Sequence, residues 1–391
     1  MALVRPSRKT LTVFVVLLAA LLGGAGSALL GVCGPFTDVA ADSFCPFVLE
    51  IFYLGITTGT TPTTYDPTAN VNRLQMAAFL SRSVDGVLKR GSRRAAMKQF
   101  WIPQNATLLG LTTVGSSPEL VESDGADIWV ANETSGTVSR VRASDGMLLG
   151  TWTGAASATG VLVAMGKILV TGFTSPGNLY LIDPTKVAGA VTTVASNLGN
   201  TPRGIAFDGT HVWTGNYGGG SVSIVTPGLT TPWTATTVTV GFSGPVGSLY
   251  DGANVWVTDN FLGTLMKLDG SGAILQTVTV GIFPQFPVFD GASIWVPNYG
   301  SGSVSVVRAS TGAVLQTLTG NGLGAPVSAA FDGVRVLVTD YNINSVSLWK
   351  AADLTPLGSF ATGSSSIPNG ACSDGVNFWI ALLGTGKLAR F

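Results

Sequence analysis

Asp290-Gly291-Ala292-Ser293-Ile294-Trp295-Val296-Pro297-Asn298-Tyr299-Gly300-Ser301-Gly302-Ser303-Val304-Ser305-Val306-Val307 reads as a tight turn, an apolar strand, a Gly/Ser-rich loop and a second strand. Glycine supplies the positive φ that a tight hairpin needs, and aspartate tolerates the position beside it. Ser293 to Val296 is an apolar, partly β-branched run, and Ser303 to Val307 alternates small polar with apolar residues, both strand patterns. Ahead of the turn in the best-kept copy stands a short strand, Val327 to Phe331, and behind the second strand a turn, Ala309 to Gly312, leads to another, Ala313 to Leu318. One unit is therefore a four-stranded antiparallel meander.

The unit recurs. Pro118, Pro202, Pro245, Pro284, Pro326 and Pro368 each stand seven residues before Gly125, Gly209, Gly252, Gly291, Gly333 and Gly375, and each of these glycines follows aspartate. Four residues beyond the glycines stand Trp129, Trp213, Trp256, Trp295, Leu337 and Trp379, and a degenerate seventh unit sits at Gly166. A period of roughly 40 residues built of short strands is the signature of a β-propeller. The positions thirteen and sixteen residues past the seven glycines are apolar in every copy, from Val138 and Val141 to Leu388 and Phe391. Those side chains are expected to pack against the next blade, because a lone four-stranded sheet cannot bury both faces. The last unit stops after its third strand, and an unpaired strand, Thr107 to Val114, precedes the first. Seven blades follow, residues 106–391, with the last shared between the two ends so that no sheet edge stays open.

Composition bounds the rest. Lys+Arg and Asp+Glu both number 21, and charged residues make up 11% of the chain, so nothing in the global charge suggests nucleic acid. Met1 to Ser27 has a basic start (Arg5, Arg8, Lys9), an apolar run and small residues at Ala25-Gly26-Ser27, the pattern of a secretory signal; the alternative is an uncleaved anchor. Export permits disulfides, and Cys33 and Cys45 are close enough in sequence to pair. With the signal removed, no stable membrane span is expected. Cys372, on a first strand, reads as a buried inert thiol.

Residues 33–83 form a separate unit. Phe36-Thr37-Asp38-Val39 is followed by a helix-like run, Phe47 to Leu54, a turn, Leu54-Gly55-Ile56-Thr57-Thr58-Gly59, and Val71-Asn72-Arg73, which opens a helix with Met76, Ala77, Phe79 and Leu80 on one face. This unit resembles the S-layer homology module, a helix–loop–helix that anchors exported proteins to cell-wall polymers. The resemblance implies that Arg73 contacts an anionic wall glycan and that Asp38 shapes the fold; Arg73 as a plain helix-start residue is the alternative. Residues 84–105 carry Lys89, Arg90, Arg93, Arg94 and Lys98 and read as a basic linker, or as a contact to anionic polymer or headgroups.

The propeller repeats, residues 107–391, resemble the streptogramin-lyase-like and YVTN-type surface propellers in their Trp-Val-x-Asn strand and Gly-Ser-Val-Ser-like third strand. Those lyases use histidines in a central site. This sequence has one, His211, at a position where other copies carry polar, outward-looking residues, so the resemblance implies the fold and not that activity. No cluster has metal spacing, and no cofactor is expected. The position after the strand-closing Asn or Asp is more telling: Tyr217, Asn260, Tyr299 and Tyr341 stand there in consecutive units. A turn does not require tyrosine. On one rim these residues would suit a glycan or peptide; packing between blades is the alternative. The reading is an all-β seven-bladed propeller with a small N-terminal helical module, exported, tethered loosely to the envelope and binding a glycan, peptide or protein. Its rivals are an exported lyase or hydrolase on the same scaffold and a purely structural envelope component.

Overall fold

The computed structural model describes residues 35–39, 45, 48, 51–52, 57–73, 75–80 and 110–391. Chain contacts divide it into two compact units, Met1–Ala96 and Met97–Phe391. The expected signal segment, the linker 84–105 and Cys33 lie outside the described residues. Among the described residues no helix is long and apolar enough to cross a membrane.

In the first unit Phe36 is fully buried, with Val39 and Val48 beside it and Cys45, Phe52 and Tyr65 packed around them. The Phe36 ring meets Phe52 edge-on at 5.2 Å and Tyr65 at 5.7 Å. Asp38 binds the far end of the unit: its carboxylate accepts the backbone N–H of Tyr65 at 2.9 Å and of Asp66 at 2.6 Å. The helix at 75–80 starts with a reciprocal cap, in which the Asn72 N–H donates to Gln75 Oε1 and the Gln75 N–H to Asn72 Oδ1, both at 2.9 Å. The module is only partly helical. Phe79 is half-buried on that helix, whereas Met76 and Leu80 stay exposed.

The second unit is a seven-bladed propeller, each blade a four-stranded antiparallel sheet, six of them in sequence order. Blade 1 runs from Pro118–Ser123 through Asp127–Asn132 and Thr137–Arg142 to Leu148–Thr153. Blades 2 to 6 begin with Ala158–Ala164, Pro202–Phe207, Pro245–Tyr250, Val288–Phe289 and Pro326–Phe331. Blade 7 has Pro368–Ser373, Phe378–Leu382 and Lys387–Arg390, and its fourth strand is Gly110–Thr113 from the front of the propeller, with Gly110 opposite Arg390 and Thr113 opposite Lys387. The first strands neighbour one another around a ring and so line a central channel.

The repeated residues each have a physical task. Gly291 has φ 96°, and the other five reference glycines share that left-handed conformation. The aspartate before each does more than tolerate a turn. Asp290 accepts the backbone N–H of Ala292 and Ser293 through one oxygen and the buried Trp295 indole N–H, at 2.7 Å, through the other. Asp124, Asp208, Asp251 and Asp374 hold Trp129, Trp213, Trp256 and Trp379 in the same way. In blade 6 Leu337 replaces the tryptophan, and Asp332 takes the Arg335 guanidinium at 2.9 Å instead. Asn216 and Asn298 close their strands by donating to pairs of third-strand serines, Ser221 with Ser223 and Ser303 with Ser305. The two apolar positions of the third strand are buried between blades throughout, save Phe391, which is half-buried.

Candidate site at the mouth of the central channel

A bulge recurs in the first strands, just past the repeat proline. Pro118 lies opposite Asn132 but Val121 lies opposite Val130, so two residues face one, and blades 2, 3, 4, 6 and 7 show the same shift. A bulge frees its residues from the ladder and re-aims their side chains. Here the freed residues include Glu119, Arg203, Val246, Val327 and Asn369.

These side chains meet across the channel. Glu119 Oε2 accepts from the Asn369 amide at 2.7 Å and lies 3.7 Å from the Arg203 guanidinium, so blades 7, 1 and 3 are joined at one oxygen. Arg203 spreads over three rings, with its guanidinium carbon 5.7 Å from the Phe173 centroid, 5.9 Å from Tyr217 and 5.5 Å from Phe286. Its buried Nε has no hydrogen-bond partner. Burial pushes the Glu119 carboxyl above its ordinary value. Arg203 opposes this, while Glu133, close enough to share a hydrogen bond, pushes it further up, and the Asn369 bond opposes again.

The three tyrosines converge on the same place. Tyr217, Tyr299 and Tyr341 are half-buried and pack on Val246, Phe286 and Val327. Tyr299 and Tyr341 meet edge-on at 6.2 Å, and Tyr217 lies 5.2 Å from the Phe261 ring. Burial, and next the Glu119 charge, raise the Tyr341 hydroxyl above its usual range. Asn260 differs: it is buried, and its amide donates to the Pro284 carbonyl at 3.4 Å. It supports the loop and presents no free amide.

The repeat pattern singles out the tyrosines but not Glu119, Arg203 and Asn369. The signal was available, since all three directly follow the repeat proline, where blades 4 and 6 carry valine. His211 sits at the opposite end of the propeller, half-buried, with Nδ1 3.5 Å from Asp208. Cys372 is a buried free thiol. Burial pushes its pKa well up and Glu122 and Asp374 add to this, so it stays protonated. Among the described residues no three His, Cys, Asp or Glu side chains gather to hold a metal ion. Arg73 is exposed at the start of the module's helix, one residue past the Asn72 cap. The Asp38 carboxylate is held below its usual range by the Tyr65 and Asp66 N–H groups.

Residues 35–77 match the family model described as the S-layer homology domain. The chain carries an S-layer homology domain followed by a seven-bladed propeller. No curated protein sequence matches the chain. Among solved structures, a catalytically inactive virginiamycin B lyase from Staphylococcus aureus with quinupristin aligns at TM-score 0.61 and 15% identity, covering 72% of this chain and 98% of that one. A streptogramin B lyase aligns at 0.58 and 16% identity, covering 72% and 97%. The WD40 propeller domain of Doa1 aligns at 0.59 and 13% identity, covering 73% and 97%. At such identities the likeness establishes the fold; the S-layer homology domain in turn suggests cell-surface anchoring.

Proposed function

We propose that this chain is an exported, cell-wall-associated propeller, tethered loosely by its single S-layer homology domain, that binds a glycan, peptide or protein at the channel mouth. S-layer homology domains typically bind cell-wall polymers, which supports the tether. Arg73 is the exposed cation in position to meet an anionic polymer. Asp38, fully engaged with backbone N–H groups, serves that site by shape. One observation carries the binding role: three half-buried tyrosines gather around the joined side chains of Glu119, Arg203 and Asn369 at one end of the channel. The pairing of Cys33 with Cys45 is part of the proposal.

Two measurements test it. Arg73→Ala should move the chain from a cell-wall pellet to the supernatant, as should high salt, which screens exposed charges; equal retention would reduce Arg73 to a helix-start residue. Tyr341→Ala should weaken capture of soluble wall glycans or peptides while leaving stability within about 1–2 kcal/mol, because the ring is only partly buried. A large loss of stability with unchanged capture would make the tyrosines packing residues.

A second reading, an exported lyase or hydrolase, draws support from Glu119. A buried carboxyl with a raised pKa, opposite a second carboxyl and beside a guanidinium, has the properties of a general acid. Its test is turnover of wall-derived substrates by the wild type and by Glu119→Gln.

A further inference from the structure

The two ends of the propeller differ in charge. Hairpins joining first to second and third to fourth strands carry the turn aspartates and most of the basic residues, among them Arg142, Lys167, Lys186, Arg308 and Lys350. Connections at the mouth end hold only Glu119, Glu133, Arg203, Asp259, Asp340 and Lys387. Asp259 and Asp340 are fully buried and accept backbone N–H groups of the connections that lead into the first strands of their blades, Ser243 and Ala325 among them. Little net charge is left to repel an apolar partner.

Apolar side chains take the place of charge on three consecutive blades. Phe261 is 55% exposed, Ile282 58% and Ile343 51%, with Leu262 and Phe283 exposed beside them. They adjoin the tyrosines: Phe261 stacks against Tyr217, the Phe283 carbonyl accepts from the Tyr299 N–H, and Tyr299 contacts Asn342 next to Ile343. Contiguous exposed apolar surface of this kind marks an interaction site. Exposed branched aliphatics offer no stacking face and no hydrogen bond, so sugar hydroxyls laid on them would lose water without replacement. Inside the rim Glu119 is buried and paired with Arg203, and half-buried Glu133 stands beside that pair as a second carboxyl with tyrosine faces around it. That favours a cation.

We propose that this end docks a peptide segment that lays apolar side chains along blades 4 to 6 and directs one cationic group, a lysine or arginine side chain or a free amino terminus, at Glu133. This rests on the channel mouth being the binding site. The experiment uses the full chain and fluorescent, end-blocked heptapeptides of aromatic and aliphatic residues with lysine, norleucine or glutamate at the centre, read by anisotropy. Lysine peptides should bind roughly tenfold tighter than norleucine peptides, and glutamate peptides weakest. Glu133→Gln should shrink the lysine preference to roughly twofold. Ile282→Ser and Phe283→Ser should weaken lysine and norleucine peptides alike, with near-UV circular dichroism confirming the fold. Equal affinity for lysine and norleucine peptides, or a preference untouched by Glu133→Gln, overturns the proposal. If peptides fail while wall glycans bind in a Tyr341-dependent manner, the peptide assignment falls and the mouth reading stands. If neither class responds to Tyr341→Ala, both fall.

Discussion

Glu122 should make this propeller less stable as the pH rises. It lies opposite Trp129 on the first strand of blade 1. The matching places in other blades hold Ala206, Leu249, Val288, Ala330 and Cys372, all apolar or nearly so. Burial raises its carboxyl from an ordinary 4.5 to about 7, with only the Ser123 N–H pulling the other way. The folded state therefore holds a proton that the unfolded chain releases between those values. Stability is highest below about pH 4.5 as far as this group is concerned, falls as pH rises toward 7, and is flat above it. The difference corresponds to at most about 3 kcal/mol, reduced by whatever solvent reaches the half-buried side chain. Glu122→Gln removes the titration while nearly keeping the shape. Urea unfolding followed by tryptophan fluorescence at pH 4.5, 7 and 8.5 should show the variant equal to wild type at the lowest pH and more stable, by up to about 3 kcal/mol, at the highest. Equal stability at all three, or a variant weaker than wild type at pH 8.5, would refute the claim that this carboxyl is buried at a cost.

Asp290→Ala should destabilise the propeller by about 2–4 kcal/mol, because it removes two turn bonds and leaves the Trp295 indole N–H buried without a partner; the same denaturant series measures it, and a loss no larger than that of an exposed Ser→Ala change would count against the latch. Deleting Gly110–Thr113 should leave the Lys387–Arg390 strand as an open edge, detected as concentration-dependent association in light scattering. A truncated chain that stays monomeric with an unchanged melting temperature would show that the closing strand contributes little.

The sequence determined the architecture. The spacing of proline, Asp-Gly and tryptophan announces a local unit, and a local unit whose faces are both apolar has to stack into a ring. Missing and surplus strands at the ends then give the closure. Turn chemistry was equally legible, since positive φ and strand alternation depend on near neighbours alone; even so, the aspartate's second partner, the indole five residues on, emerged only with the fold. The candidate site divides the same way. Tyrosines were visible because they break a repeat where a turn would not require them. Glu119, Arg203 and Asn369 come from blades 1, 3 and 7 and stand up to 250 residues apart in sequence. Their meeting depends on ring closure and on bulges that turn side chains out of the alternating pattern, and neither can be read from the spacing within one repeat. Exposure was likewise a tertiary matter. Ile282 and Phe283 are apolar residues of a loop between units, and only the arrangement of blades decides that they stay exposed on the rim.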